Sequence, residues 1–181
     1  MELFYNNKNQ HGSSEVKTQI FNKIINVMHL SSSDILLDVG SGEGFYSSKF
    51  AELCNKVIAI DEHNDVSMNQ FYGNSSIQFI CEDICKWINQ SNIDNVTQVF
   101  FSNSFHAMRC QDAILKFFSD RLLNGAYLNF IEFKLDTSFG PPKSIRFTKE
   151  SLKKKVESYG FIEASYIDLN THYFISFKLT K

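Results

Sequence analysis

The feature that most constrains this chain is a set of three alternating glycines directly after a short apolar run. The run ends in Asp38 and Val39, and the glycines are Gly40, Gly42 and Gly44. An apolar run of this length predicts a buried strand, and the glycines predict a tight turn whose backbone approaches a ligand at the start of a helix. A dinucleotide-binding turn would have its third glycine one position later, where this chain has a phenylalanine. The spacing therefore argues against a nicotinamide dinucleotide as the ligand.

Length and composition predict one folded domain. The chain has 181 residues, of which 43% are hydrophobic and 14% aromatic, and its net charge is -2. This charge gives no general attraction to a phosphate backbone, which disfavours nucleic acid as a partner. No apolar run is long enough to cross a bilayer, and the first residues lack the pattern of a signal peptide. We therefore expect a cytoplasmic protein, monomeric or homodimeric, with no membrane partner.

The cysteines and histidines give no metal-binding pattern. The four cysteines, Cys54, Cys81, Cys85 and Cys110, form no C-x-x-C pair, and the histidines show no ligand constellation. We place Cys81 at the end of a strand and Cys85 in the helix after it. In a cytoplasmic protein the cysteines are expected to be reduced and to pack as small hydrophobic residues. No metal is predicted.

Strand and helix patterns alternate along the chain. Strands are predicted at 35–39, 56–61, 77–81, 98–102, 126–133, 161–169 and 173–179. Helices are predicted at 14–29, after 44, and at 65–71, 84–89, 111–124 and 149–159, and Thr148 can cap the last of them. This order predicts an α/β fold, a doubly wound, mostly parallel seven-stranded sheet in which the C-terminal hairpin contributes one antiparallel strand. Residues 1–181 form a single domain, and residues 1–13 are interpreted as an N-terminal arm or lid.

Polar residues stand at the ends of four successive predicted strands. Asp38 precedes the glycines, Asp61 ends the second strand, Asp83 follows the third and Asn103 follows the fourth. A single strand-end aspartate is often only a turn or helix-capping residue. Ligands of open parallel sheets bind at the carboxyl ends of the strands, so four such residues beside a glycine turn predict a binding site.

Taken together, these motifs resemble those of the class I methyltransferases that use S-adenosylmethionine (SAM), especially the small type 11 group. The resemblance covers roughly residues 30–181 of the chain. The stretches that carry it are Asp38–Gly44, Lys56–Asp61, Glu82–Ile84, Val99–Met108 and Tyr159–Phe161. It implies a Rossmann-like sheet and SAM as the cofactor.

The resemblance also implies which residues contact the cofactor. Asp38 would help to hold the cofactor's amino group, and Asp61 would accept hydrogen bonds from the ribose hydroxyls. Glu62 or His63 would line the adenine pocket, with Asp83 accepting from the adenine amino group. The complete expected set is Asp38, Gly40, Ser41, Gly42, Asp61, Glu62, Asp83, Ile84, Ser102 and Asn103.

His106 is the residue that we interpret as a general base, because it follows the fourth strand near the expected methyl group. A packed or solvent-facing histidine in a loop is the alternative. Tyr5 and His11 of the N-terminal arm are further candidates, unless the arm is only a tail.

The segment after the fourth strand also bears on the acceptor. Enzymes that methylate exocyclic amines of nucleic-acid bases often have Asn/Asp-Pro-Pro-Tyr there, whereas this chain has Ser102, Asn103, Ser104 and Phe105. We therefore expect a small-molecule methyl acceptor rather than a nucleic acid. Phe105, Met108, Phe139 and Phe147 would line its pocket, or else belong to the core.

Two other functions remain open at this point. The chain could be a SAM-binding regulatory or scaffolding module without turnover, since the first motif serves both. A nicotinamide-dependent oxidoreductase is the third possibility, against which the glycine spacing argues.

Overall fold

One seven-stranded sheet is the centre of the fold in residues 14–63 and 75–181, the part of the chain that the computed structural model describes. The strands are β1 (Ile35–Val39), β2 (Lys56–Asp61), β3 (Ile77–Cys81), β4 (Gln98–Ser102), β5 (Tyr127–Phe133), β6 (Phe161–Leu169) and β7 (His172–Leu179). The helices are α1 (Ser14–Ile24), α2 (Phe45–Phe50), α3 (Ile84–Trp87), α4 (Gln111–Arg121) and α5 (Lys149–Glu157), with short 3-10 turns at Phe105–Ala107 and Lys143–Ile145.

The strand order confirms the predicted fold class. It runs β3-β2-β1-β4-β5-β7-β6, and only β7 is antiparallel to its two neighbours. The order reverses between β1 and β4, since the chain first adds strands on one side of β1 and then crosses to the other side. The glycine turn after β1 therefore lies at the topological switch point, where ligands of such sheets bind.

The sheet separates two hydrophobic cores. Leu36 and Phe100 pack on the face covered by α1 and α2, whereas Leu37 and Phe101 pack on the face covered by α3, α4 and α5. Consecutive strand residues point to opposite faces, which is why neighbouring residues enter different cores. Strands buried on both faces read as continuous apolar runs, and this explains why the central strands could be recognised from the sequence.

Helix starts agree better with the sequence than helix ends. Thr148 caps α5 by accepting a 3.0 Å hydrogen bond from the Ser151 amide, as predicted. α1 ends at Ile24 rather than near residue 29, because the chain tightens into turns in which the Val27 amide donates to the Ile24 carbonyl. The predicted helix at 65–71 and the N-terminal arm, with Tyr5 and His11, lie outside the described residues.

A disulfide joins Cys85 of α3 to Cys110 at the start of α4. The expectation that all the cysteines are reduced is therefore wrong for these two. Their Cα atoms lie 5.8 Å apart, within the range of a disulfide, because both segments begin at the carboxyl edge of the sheet. Cys54 is buried and Cys81 is exposed, and both are free. Within the described ranges, no helix is long and apolar enough to cross a membrane.

Candidate functional site

The glycine turn is held against β2 by two backbone hydrogen bonds. The amides of Gly40 and Ser41 donate to the Ile60 carbonyl at 2.8 and 3.1 Å. Gly40 has φ 74°, and a Cβ atom there would lie 2.5 Å from the Cβ of Ser104. Gly42 has φ 53°, but a Cβ there would meet nothing within 4 Å. The first glycine is therefore required by close packing, whereas the second borders open space.

Asp61 joins the end of β2 to this turn. Its Oδ2 accepts from the Gly42 amide at 2.8 Å, and its Oδ1 accepts from the His63 amide at 2.9 Å. The His63 ring nitrogen Nδ1 also lies 3.5 Å from Oδ1. Glu62, between them, is exposed. The structure thus brings together the glycine turn and the strand-end acid that the sequence paired.

Asp38 lies behind the turn and is 1% exposed. It accepts a 2.6 Å hydrogen bond from the Ser47 hydroxyl of α2. Burial raises the pKa of Asp38 to about 7, and the nearby charge of Asp61 adds to this rise, while the bond from Ser47 opposes it. Asp38 therefore titrates near neutral pH. Its contact with the cofactor's amino group stays a prediction.

Asp83 connects α3 to the loop that follows β4. Its Oδ1 caps α3 by accepting from the Cys85 amide at 2.8 Å, and its Oδ2 lies 3.2 Å from the Arg109 guanidinium. Ile84, the next residue, is buried. Arg109 was missed in the sequence because it lies 26 positions from Asp83 and belongs to no motif. The disulfide from Cys85 lies beside this pair and links the same two segments.

Ser102 and Asn103 form the end of β4. Burial raises the pKa of Tyr46 to about 12, and this rise is opposed by a hydrogen bond with Ser102 and increased by the charge of Asp38. Asn103 has φ 53°, and no other non-glycine residue in the described ranges has a positive φ. Its amide donates to the Ile131 carbonyl at 2.9 Å, and its Nδ2 lies 3.3 Å from His172 Nε2. These contacts hold Asn103 in a conformation that costs asparagine little.

Two polar atoms near the turn lack partners. Ser41 Oγ and Asn103 Oδ1 are both buried, and neither has a hydrogen-bond partner within residues 14–63 and 75–181. Ser104, the residue packed on Gly40, donates instead to the Val39 carbonyl at 2.7 Å. Asn129 Oδ1 and Ser176 Oγ, at paired positions of β5 and β7, are the other unpaired buried side-chain atoms in the described ranges. Ser41 and Asn103 differ from them in lying at the carboxyl edge of the sheet, where ligands of such folds bind.

His106 is paired with an acid that the sequence analysis did not identify. Its Nδ1 lies 2.6 Å from Glu132 Oε2, and its backbone amide donates to Glu132 Oε1 at 3.3 Å. Both side chains are buried, with 6% and 1% of their surface exposed. The position of Glu132 near the end of the apolar strand β5 could have indicated this pair, because a buried carboxylate needs a partner.

The aromatic residues proposed for the acceptor pocket separate into two groups. Phe105 is fully buried in the core, as the alternative interpretation had it, whereas Phe139 is partly exposed against Phe133. Phe147 packs against Phe105 and lines an open cavity of about 360 Å³ together with Tyr166 and Tyr173. Within the described residues, no cluster of three or more potential metal ligands occurs.

Solved structures of methyltransferases have the same fold. A SAM-dependent methyltransferase from Aquifex aeolicus is similar with a TM-score of 0.79 and 18% identity, over 92% of this chain and 98% of that one. The 1,6-didemethyltoxoflavin-N1-methyltransferase of Burkholderia thailandensis, solved with its substrate and S-adenosylhomocysteine bound, has a TM-score of 0.70 and 15% identity, over 93% of this chain and 78% of that one. At these identities the likeness shows the fold, which is the Rossmann-like fold of class I SAM-dependent methyltransferases.

Sequence comparison gives the family. The model for ribosomal RNA adenine dimethylases matches residues 5–120, and the chain therefore belongs to that family. A relative is the ribosomal RNA small subunit methyltransferase A of Buchnera aphidicola subsp. Baizongia pistaciae (strain Bp). The two are 28% identical over 106 residues, which is 59% of this chain and 38% of the relative. The chain thus spans well under half of that relative's length.

The family match corrects the prediction about nucleic acid and does not test the assignment to the type 11 group. The expectation that nucleic acid is disfavoured as a partner is wrong, because the family is one of ribosomal RNA enzymes. Net charge averages over the whole chain, whereas binding to phosphates needs only a local arrangement of cations. The assignment to the type 11 group stays a prediction.

Proposed function

We propose that this chain transfers the methyl group of SAM to the exocyclic amino group of an adenine in RNA. Membership of the family supports an RNA acceptor. It outweighs the sequence argument against this chemistry, in which Ser102–Phe105 replace the Asn/Asp-Pro-Pro-Tyr segment and keep only its asparagine type, at Asn103. The observation that carries the chemistry is Asn103 Oδ1, a buried acceptor atom without a donor at the carboxyl end of β4. An exocyclic amine has two N–H donors, and one of them would satisfy this oxygen.

The residues around the glycine turn fit the cofactor. The open space at Gly42 leaves room for a ligand against the backbone, and Ser41 Oγ is a buried hydroxyl in need of a partner. The Asp61 carboxylate has about four lone-pair sites, and backbone amides use two of them, which leaves two for ribose hydroxyls. Asp83 and Ile84 would hold the adenine ring, and Glu62 would border it. SAM, when bound, supplies a sulfonium-activated methyl group for an in-line displacement.

On the acceptor side, the protein orients the amine and takes up a proton. Asn103 Oδ1 would accept from one N–H of the amine and so fix the direction of the nitrogen lone pair. Transfer of the methyl group would form the N–CH₃ bond as the S–CH₃ bond breaks, and the nitrogen, which still has both hydrogens, would become positively charged and have to lose one proton. His106 would accept that proton at Nε2, while Nδ1 stays bonded to Glu132.

Incubation with isotopically labelled SAM and transcribed small-subunit ribosomal RNA tests this proposal, with the nucleosides then identified by mass spectrometry. Methylated adenosine is the expected product. Loss of one positioned hydrogen bond in Asn103→Ala is expected to reduce turnover about tenfold to a hundredfold. Asn26→Ala, at an exposed position in the turn after α1, is the matched control and should leave turnover unchanged.

Calorimetry with S-adenosylhomocysteine separates the alternatives. Binding without methylation of RNA or of any other acceptor would contradict the proposal and favour the regulatory or scaffolding module. Methylation confined to small molecules would contradict the RNA acceptor alone. Unchanged turnover in Asn103→Ala would exclude the assigned role of the Asn103 oxygen.

A further inference from the structure

We infer that Glu132 is a positioning residue that fixes the tautomer of His106, so that Nδ1 carries the hydrogen and Nε2 is the atom that accepts a proton. The inference rests on the proposed function, because His106 is the base in that function. It adds an acid from β5, a strand that begins after the residues matched by the family model.

The geometry of the contact determines the tautomer. Glu132 presents both carboxylate oxygens to the same residue, with Oε1 3.3 Å from the backbone nitrogen of His106 and Oε2 2.6 Å from ring Nδ1. A carboxylate has no hydrogen to donate, so both of its partners must be donors. The Nδ1 atom therefore carries a hydrogen, and the lone pair of the neutral ring is on Nε2. The second bond, to the backbone, prevents the carboxylate from turning away.

The place of this pair in the fold puts it beside the acceptor side of the site. The Asn103 amide donates to the Ile131 carbonyl, and Glu132 is the next residue of β5. β5 therefore holds Asn103, through its backbone, and His106, through its acid. Both are residues that the proposed function assigns to the amine.

Few other titratable or charged groups neighbour the pair. Tyr173 of β7 is the register partner of Glu132, and burial raises its pKa, with the charge of Glu132 raising it further. From α4, the amide of Gln111 donates to the His106 carbonyl at 3.4 Å, and it is neutral. Within the described residues, Glu132 is the charged group in contact with the His106 ring. A buried acid–histidine pair adds little stability compared with apolar packing, so stability alone does not account for the presence of Glu132.

Glu132→Gln discriminates between a positioning role and a purely structural role of Glu132, because glutamine preserves the shape of the side chain and changes its hydrogen-bonding pattern. Glutamine has one acceptor oxygen and one NH₂ group, whereas its two partners are both donors. Either the backbone bond is lost, or the NH₂ group faces Nδ1 and moves the ring hydrogen to Nε2. The second outcome removes the lone pair that accepts the proton. Glu157→Gln, at the surface of α5, is the matched control.

The first measurement is nitrogen NMR of the histidine rings, with the His106 signals assigned from a His106→Gln spectrum. The free protein, without RNA, is expected to show Nδ1 protonated and Nε2 unprotonated at a pH where the ring is neutral. In Glu132→Gln, the population with Nε2 protonated is expected to rise. A protonated Nε2 in the unsubstituted protein would overturn the inference, whatever the variant does.

The second measurement is turnover on the RNA acceptor. Glu132→Gln is expected to lower kcat about a hundredfold, which is the lower part of the range for general bases, with KM and S-adenosylhomocysteine affinity unchanged. Wild-type kcat in a Glu132→Gln protein whose ring spectrum shows Nε2 protonated would overturn the inference while leaving the proposed function intact. Conversely, absence of RNA methylation would end the proposed function, but the ring spectra would still decide whether Glu132 fixes the tautomer.

Discussion

Substitution of the first two glycines of the turn by alanine separates what the turn needs for folding from what it needs for binding. Both Gly40 and Gly42 have positive φ, at 74° and 53°, so either alanine is strained by about 1–2 kcal/mol. Only Gly40 also faces a neighbour, since its added Cβ would lie 2.5 Å from Ser104 Cβ. Overpacking of this kind costs about 1–3 kcal/mol more.

Gly40→Ala is therefore expected to lower the free energy of unfolding by about 2–5 kcal/mol, and Gly42→Ala by about 1–2 kcal/mol. For a domain whose total stability is about 5–15 kcal/mol, the first change is severe and the second is tolerable. Binding is expected to show the opposite order. The Gly42 Cβ would enter the open space assigned to the cofactor, and S-adenosylhomocysteine affinity should fall about tenfold or more in Gly42→Ala.

Urea unfolding and calorimetry measure the two effects in the same variants. Ser104→Gly in the Gly40→Ala background removes the clashing Cβ and is expected to recover about 1–3 kcal/mol, after correction for the lost hydrogen bond to Val39. The reasoning is refuted if Gly40→Ala and Gly42→Ala lose equal stability, or if Ser104→Gly recovers nothing. Unchanged cofactor affinity in Gly42→Ala would remove that position from the binding site.

Two further predictions concern Asp38 and the disulfide. Burial raises the pKa of Asp38 to about 7 from 3.8, so between about pH 4 and 7 the folded protein holds a proton that the unfolded chain has released, and stability falls as the pH rises through that window. Asp38→Asn should therefore gain stability relative to wild type as the pH of urea unfolding increases, and a constant difference would contradict the assignment. Replacing both Cys85 and Cys110 by serine opens a crosslink of 25 residues and should lower the unfolding free energy by about 3.5 kcal/mol, with exposed Cys81→Ser as the control. Native-state labelling of Cys85 or Cys110 by a thiol reagent would show that the crosslink is absent.

The sequence predicts those parts of the fold and site that depend on neighbouring residues. The strand, glycine turn and helix from Ile35 to Phe50 were recognised because each signal lies within a few positions of the next. Asp61 could be paired with the turn because its strand ends at the same edge of a parallel sheet. The Thr148 cap lies three positions from its partner and was recognised for the same reason.

The contacts that were missed join distant positions. Glu132 and His106 are 26 residues apart in the sequence, and His172 and Asn103 are 69 residues apart. The periodicity of a helix or a strand relates only nearby residues, so it predicts neither contact. The crosslink between Cys85 and Cys110 depends on how α3 and α4 meet, which strand order alone does not determine. The sequence predicts too long an α1 because apolar residues continue to recur at helical spacing after Ile24, where the backbone hydrogen bonds have already changed to those of turns.

The contacts that the sequence predicts and the contacts that it does not predict lie in different halves of the site. The proposed cofactor half lies at β1, β2 and β3, where compact motifs contain most of the residues that we predict to contact SAM. The proposed acceptor half lies at the ends of β4 and β5 and the start of β7, where Asn103 contacts His172 and Glu132 contacts His106 because these strands are neighbours. The family model ends at residue 120, before β5 begins, so it covers Asn103 and His106 but not Glu132 or His172. Substitutions in the acceptor half, rather than in the glycine turn, therefore test whether this domain methylates RNA, as the name of its family indicates.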